Sequence, residues 1–261
     1  MVRSKLLLFS IILLFAAFLL GVFNISNWLE KAKEGIEIRV YIKDGTEVSQ
    51  LKKQVSNLEG INEVSYISKE MALKEFKKSY AKSSEYLEGL DFNPLPESFR
   101  LSLKKGYRTN ERIKKLVAKL SFFEGIDDVI YDEETVQRLE TIAKYFPYST
   151  LAMGVLLFII SLTMLYSKAS LRYILKSNEI RVMRFMGASS LPIRARFILI
   201  EFLEGILISG VAILCVYEIY KFLIDQKLPN LSFFPLEYWV GFIVLWTICS
   251  IMTSCIVTRQ I

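Results

Sequence analysis

The sequence predicts an α-helical membrane protein with four transmembrane helices and one extracytoplasmic α+β domain between the first two. Long apolar runs lie at the start of the 261-residue chain and in its last part, and a charged block separates them. A helix needs about 20 apolar residues to cross ~30 Å of hydrocarbon. Within the charged block a strand–helix–strand pattern occurs twice, which predicts one folded domain there.

Four apolar runs are long enough to cross a membrane: 6–23, 150–166, 197–217 and 238–257. The first follows Arg3 and Lys5, as the apolar part of a cleaved signal peptide does. It is longer than the ~7–15 residues usual in signal peptides, and no clear cleavage site follows it. We therefore interpret it as a retained membrane anchor.

Positive charge predicts which side of the membrane each segment occupies. Residues 167–196 carry seven basic residues against the single acid Glu179, whereas 30–144 have no net charge. Because Lys and Arg accumulate in cytoplasmic loops, both termini and this segment are predicted to be cytoplasmic. The net charge of +6 thus reflects membrane orientation, and no basic face typical of nucleic-acid binding is visible on the external domain.

The external domain contains an internal repeat. Residues 38–45 and 99–106 are alternating strands that each end at a glycine, and a helical pattern follows each of them. We expect each helix to end at a Glu-Gly-Ile sequence, with Gly60 and Gly125 as left-handed caps. A second strand follows in each repeat. Two βαβ units of this kind predict a ferredoxin-like fold.

A helical insertion, 68–93, separates the two repeats and is closed by Pro94 and Pro96. One interpretation of its apolar residues is that they pack the insertion onto the sheet. The other is that they form an exposed patch that binds an extracytoplasmic partner. The candidate residues for such binding are Met71, Leu73, Phe76, Tyr80, Tyr86, Leu87, Leu90 and Phe92.

The sequence contains no motif that predicts catalysis. It has no histidine and no phosphate-binding loop, so we predict neither an enzyme nor a cofactor or metal site. The acids at 127–134 are interpreted as a solvated turn. Glu201 and Glu204 lie within an apolar run, where carboxylates are functional candidates. We expect them to snorkel or to pair with Arg194 and Arg196, with transport chemistry as the alternative.

The cytoplasmic segment carries the most informative pattern, a short helix that ends at Gly187. Ile180, Met183 and Met186 form an apolar stripe on it. Such a stripe suits an interfacial helix lying among lipid headgroups, or a helix that docks in a groove of a cytoplasmic partner. The candidate residues for such docking are Glu179, Ile180, Arg181, Met183, Arg184, Met186, Gly187 and Ala188.

The chain resembles the FtsX family of cell-division permeases related to ABC transporters. Three features carry the resemblance: the layout of one helix, an external domain and three further helices; the sequence NPLPESF at 93–99; and the sequence EIRVMRFMGAS at 179–189. The resemblance covers nearly the whole chain, and the proline motif is the more specific of the two motifs.

This resemblance implies a homodimer in the bacterial inner membrane, at the division septum, that binds the cytoplasmic ATPase FtsE. It makes the candidate docking residues of 179–188 the ATPase-coupling residues. It also implies that the external domain binds a peptidoglycan hydrolase or its activator, and that ATP-driven changes inside regulate this partner outside. The alternative is a permease subunit of a MacB-like or LolCDE-like exporter or lipoprotein-release transporter.

The predicted organisation follows from these points. The N-terminus (1–5) is cytoplasmic, and TM1 covers 6–24. The extracytoplasmic domain covers 25–146, with its helical lobe at 68–93. TM2 covers 147–167, the cytoplasmic coupling segment 168–196, TM3 197–218, the outer loop 219–237 and TM4 238–258.

Overall fold

The computed structural model describes residues 2–79, 93–226 and 231–259. The chain divides into two compact units. We call Trp28–Phe146 the sheet unit, and Met1–Asn27 with Pro147–Ile261 the membrane-helix unit. The elements in chain order are α1 (Val2–Glu34), β1 (Glu37–Ile42), α2 (Val48–Ser56), β2 (Ile61–Ile67), α3 (Lys69–Ser79), β3 (Ser98–Leu103), α4 (Asn110–Leu120), β4 (Ile126–Ile130), α5 (Glu133–Phe185), α6 (Ser190–Asp225) and α7 (Leu236–Thr258).

Four helices, α1, α5, α6 and α7, are long and apolar enough to cross a membrane, as the sequence predicts. They extend well beyond the apolar runs. Helix α5 begins at Glu133 rather than near residue 147, so Pro147 lies inside it. Asp132 explains this start, because its carboxylate accepts hydrogen bonds from the Thr135 N–H (2.9 Å) and hydroxyl (2.6 Å) and caps the helix.

The sheet unit contains four strands in the order β2-β3-β1-β4, and every neighbouring pair is antiparallel. Val40 at the centre pairs with Phe99 on one side and Val129 on the other. The alternation predicted for these strands places Ile38, Val40, Phe99 and Leu101 on one fully buried face. Helices α2 and α4 contribute further buried members of the same core: Leu51, Val55, Ile113, Leu116 and Leu120.

The two predicted glycine positions adopt the left-handed conformation, with φ of +101° at Gly60 and +94° at Gly125. However, α2 ends at Ser56 and α4 at Leu120, so neither glycine caps its helix directly. Each lies just before a strand, β2 or β4, and turns the chain into it. The side chain of Tyr107 covers Gly60 and that of Thr46 covers Gly125, which leaves no space for a Cβ atom.

The membrane-helix unit has its own apolar core, to which all four long helices contribute and in which aromatic rings of α1 and α7 pack together. Phe15 lies edge-on to Trp246 with ring centroids 5.7 Å apart, and both are buried. Helices α6 and α7 approach closely at Gly205, where a Cβ atom would lie 3.2 Å from the Thr247 Cα. Such close contact through small residues is typical of helices that associate in lipid.

Candidate functional site

The predicted coupling segment forms a tight helical hairpin. Helix α5 ends at Phe185, Gly187 adopts a φ of +84°, and α6 begins at Ser190. The Gly187 N–H donates to the Arg184 carbonyl (2.9 Å) and the Ala188 N–H to the Met183 carbonyl (3.0 Å). The predicted end at Gly187 is therefore confirmed. The segment is not a separate short helix, because it continues the 53-residue α5.

The predicted apolar stripe is divided between two environments. Ile180 is buried against Ile193 of α6, and Met183 packs beside them. Met186, by contrast, is 75% exposed. The expectation of one continuous stripe was wrong, because α6 folds back over part of it and covers Ile180.

A different set of apolar residues is exposed at the tip of the hairpin. Its members are Val182, Phe185, Met186 and Leu191, and we call them the tip surface. Phe185 is 84% exposed and Leu191 77%. Neither was among the sequence candidates, although Phe185 follows Val182 by three residues and thus shares its helix face. Arg181, Arg184 and Ala188 are also exposed, and Glu179 pairs with Lys176 at 2.5 Å.

A buried cluster of charged residues joins the membrane helices below the hairpin. We call Lys5, Lys168, Arg172, Glu201 and Glu204 the ionic cluster. Lys168 Nζ lies 2.9 Å from Glu201 Oε2 and 2.7 Å from Glu204 Oε2, and Arg172 reaches the same two carboxylates at 2.5 and 2.6 Å. Lys5 of α1 also pairs with Glu204, and its Nζ lies 2.8 Å from Glu204 Oε1. The Ser250 hydroxyl of α7 donates to Glu201 Oε2 at 2.9 Å.

The expectation that Arg194 and Arg196 pair with these glutamates was wrong. The cations come from α5 and α1 instead, and Glu201 is 1% exposed, so it does not snorkel. Lys168 and Arg172 lie one helical turn apart and face α6. Their four-residue spacing is visible in the sequence and could have indicated that they share one face of the helix. Since the cluster joins α1, α5 and α6 and Ser250 of α7 bonds to it, it fixes the relative positions of the four helices at one level of the unit.

On the sheet unit, the start of α3 is anchored by side-chain hydrogen bonds. Ser68 caps its start: the Met71 N–H donates to the Ser68 hydroxyl at 3.3 Å. The Ser68 hydroxyl donates to Glu70, which lowers the pKa of that carboxyl. The Asn93 side chain donates a hydrogen bond to the Lys69 carbonyl at 2.6 Å. The first residue of the proline motif is thereby joined to the start of α3.

Salt bridges place α3 over the polar face of the sheet. Glu75 lies 2.6 Å from Arg100 and 3.6 Å from Arg39. Lys69 pairs with Asp44 at 2.7 Å, which raises the pKa of the lysine. Between α3 and the sheet lies a cleft of about 490 Å³, whose lining includes Phe76.

The predicted partner-binding residues fall into two groups. Met71 is 45% exposed, while Leu73 and Phe76 are half-buried. Tyr80, Tyr86, Leu87, Leu90 and Phe92 lie outside the described residues. Within the described ranges, no group of three or more His, Cys, Asp or Glu side chains is placed to hold a metal ion.

Comparison with known proteins identifies relatives of this chain. Residues 35–143 match the model of the FtsX extracellular domain. Cell division protein FtsX of Bacillus subtilis is 25% identical over 225 residues, which cover 85% of this chain and 75% of the relative. The corresponding protein of Flavobacterium johnsoniae is 27% identical over 243 residues, covering 90% and 81%. A crystal structure of extracellular domain 1 of FtsX from S. pneumonie, in complex with undecyl-maltoside, matches at 17% identity and a TM-score of 0.31, over 36% of this chain and 92% of that domain. The chain is similar to FtsX cell division proteins over most of its length, and four of its described helices are long and apolar enough to cross a membrane.

Proposed function

We propose that this chain is the membrane subunit of an FtsEX-type complex. In that role it passes an ATP-driven change in the cytoplasmic ATPase FtsE across the membrane, and so regulates peptidoglycan hydrolases during cell division. The observation that carries the proposal is the tip surface, in which Val182, Phe185, Met186 and Leu191 are all exposed. Cell-division relatives over most of the chain support the same role rather than export.

The tip surface suits a protein partner. Four large apolar side chains exposed together on one hairpin form a patch that soluble surfaces rarely leave uncovered. Arg181 and Arg184 flank it and provide polar contacts at its rim. An apolar helix end of this kind docks in a groove of a partner.

The ionic cluster supports transmission of motion from the hairpin. Arg172 and Lys168 lie on α5, roughly three to five turns before the tip, and their partners lie on α6. Through Lys5 and Ser250 the same cluster reaches α1 and α7. A displacement of the hairpin would therefore move α1 and α5, the two helices from which the chain continues into the sheet unit.

The orientation, location and partners that we propose are supported by the charge distribution and by the similarity to FtsX proteins. Both termini and residues 168–196 are cytoplasmic, and the sheet unit lies outside, at the division septum. The sheet unit is ferredoxin-like, supported by its strand order and its two helices on one face. The chain forms a homodimer and acts without enzymatic activity of its own. Its α3, with Met71 exposed and the insertion that follows, binds the hydrolase or its activator.

Co-purification with FtsE tests the proposal. Replacing Phe185 and Met186 by Asp places two charges in the apolar contact and should abolish co-purification. The matched control is Phe122→Asp, which changes an 89% exposed aromatic residue of the sheet unit and should leave co-purification unchanged. If FtsE still co-purifies with the Phe185→Asp/Met186→Asp variant, the tip surface is not the coupling site.

Two further measurements separate the alternatives. A reporter inserted after Lys105 should be found outside the cytoplasm, and a cytoplasmic location would contradict the proposed orientation. ATPase activity of the reconstituted pair should respond to the hydrolase or its activator. Stimulation by a transported lipoprotein or peptide would indicate an exporter instead.

A further inference from the structure

A groove beside the hairpin combines an apolar interior with a cationic rim. It has a volume of about 420 Å³ and lies between the end of α5 and the start of α6. Its apolar walls include Ile180, Met183, Phe197 and Ile200, and its rim includes Lys176 and Arg196. Both helices that form it are candidate membrane spans.

The groove lies across the boundary between the polar and the apolar part of α6. Arg196 is the last charged residue before the apolar run that begins at Phe197. Ile200 lies four residues further on, about 6 Å deeper along the helix axis. One end of the groove therefore lies beside the polar start of α6 and the other beside its apolar run, as a site that spans lipid headgroups and acyl chains requires.

The charges around the groove do not balance. The groove is lined by three cations, Arg172, Lys176 and Arg196, and two carboxylates, Glu179 and Glu204, which leaves an excess of one positive charge. Within the described ranges Arg196 forms no salt bridge. Lys176 pairs only with Glu179, in an exposed contact that contributes little and is readily exchanged.

We propose that this groove is a binding site for an anionic phospholipid. One acyl chain occupies the apolar interior against Phe197 and Ile200, and the phosphate lies between Lys176 and Arg196. Basic pockets between membrane helices bind anionic headgroups in this way. A zwitterionic lipid fits the same interior but neutralises none of the excess charge. The site requires only that the chain lies in a membrane and does not depend on the ATPase.

The test is native mass spectrometry of the delipidated full chain in neutral detergent. Dioleoyl phosphatidylglycerol should bind at lower concentration than dioleoyl phosphatidylcholine. The Lys176→Gln/Arg196→Gln variant should need about 30-fold more phosphatidylglycerol, since each basic residue near the headgroup contributes roughly fivefold. Binding of phosphatidylcholine should not change. Arg181→Gln/Arg184→Gln is the matched control, because it removes two cations from the same segment that do not line the groove.

A second variant keeps the charges and narrows the cavity. Ala188 lines the groove, so Ala188→Trp should weaken the binding of both lipids while leaving the preference for phosphatidylglycerol. This variant decides the matter if the double variant does not fold, as judged by size-exclusion chromatography.

Four results would overturn the proposal. In the first, the two lipids bind equally to the wild-type chain. In the second, the control variant Arg181→Gln/Arg184→Gln loses as much affinity for phosphatidylglycerol as Lys176→Gln/Arg196→Gln does. In the third, the Ala188→Trp variant binds both lipids with the affinity of the wild type. In the fourth, inorganic phosphate or added FtsE displaces the lipid, which would assign the groove to a free anion or to the protein partner.

Discussion

Charged residues have opposite roles in the two units of this chain. In the sheet unit, ion pairs such as Glu111 and Lys115 lie on the surface, with side chains 78% and 69% exposed. In the membrane-helix unit Lys168, Arg172 and Glu201 are almost completely buried. The sheet unit is held together by a core of aliphatic and aromatic side chains. The membrane-helix unit adds to its apolar core a network that only charged residues can form.

The solvent explains the difference. In water the burial of apolar surface drives the sheet unit to fold, and surface ion pairs add little. In hydrocarbon apolar side chains gain nothing by leaving lipid, so close packing and polar contacts between helices determine how they associate. Removing one partner of a buried pair then leaves an unpaired charge, which is far more costly than losing a surface pair.

The largest effect should come from Glu201→Ala. This change leaves Lys168 and Arg172 without their shared partner and should reduce the free energy of unfolding by about 3–5 kcal/mol. Thermal unfolding in neutral detergent measures it. Glu218→Ala, at an exposed position of the same helix, is the control and should have little effect. Equal melting temperatures for the two variants would show that the ionic cluster does not hold the helices together.

In the sheet unit a comparable loss requires a change in the apolar core. Leu101 is fully buried on the central strand β3, and Leu101→Ala should reduce the free energy of unfolding by about 3 kcal/mol through lost burial and a cavity. Phe122→Ala, at a highly exposed position, should change it little. Pulse proteolysis in urea compares the two. A large effect of Phe122→Ala would mean that the core of this unit extends beyond the residues described.

The glycine turns test whether the two repeats are equivalent. Gly60→Ala and Gly125→Ala each combine a left-handed backbone with a blocked Cβ position, and each should reduce the free energy of unfolding by about 2 kcal/mol. Gly45 has a φ of +85° but open space around it, so Gly45→Ala should reduce it by only about 1 kcal/mol. If all three substitutions reduce the free energy of unfolding by the same amount, the contacts of Tyr107 and Thr46 with the turns do not contribute to stability.

The sequence predicted the sheet unit better than the ionic cluster, for a physical reason. Alternation in 38–42 and 99–103 reports which residues face a core, because each strand has one buried face. The four membrane spans were equally clear from their length. The pairing of Glu201 with Lys168 and Arg172, however, depends on which helix faces lie together, and apolar runs contain no such information. The same gap explains why Ile180 was placed on an exposed stripe and Phe185 was overlooked.

The smallest effect should come from the surface pair on α4. The hydrogen bond from Lys115 holds the pKa of Glu111 below its ordinary value of 4.5, so the pair stabilises the folded chain above that pH. This contribution is lost as the pH falls through the lowered pKa. Glu111→Gln should therefore unfold slightly more easily than the wild type at pH 7, and the difference should disappear in acid.

Salt distinguishes the surface pair from the ionic cluster. At 1 M salt the screening length is only about 3 Å, which removes most of the attraction between exposed charges but acts much less on buried ones. The small effect of Glu111→Gln at neutral pH should therefore vanish in 1 M NaCl, while that of Glu201→Ala should persist. Thermal unfolding of both variants with and without salt makes the comparison. If salt reduced both effects equally, water and ions would have access to Glu201. The charges of the membrane-helix unit would then be screened like those on the surface of the sheet unit, which would contradict the proposed difference between the two units.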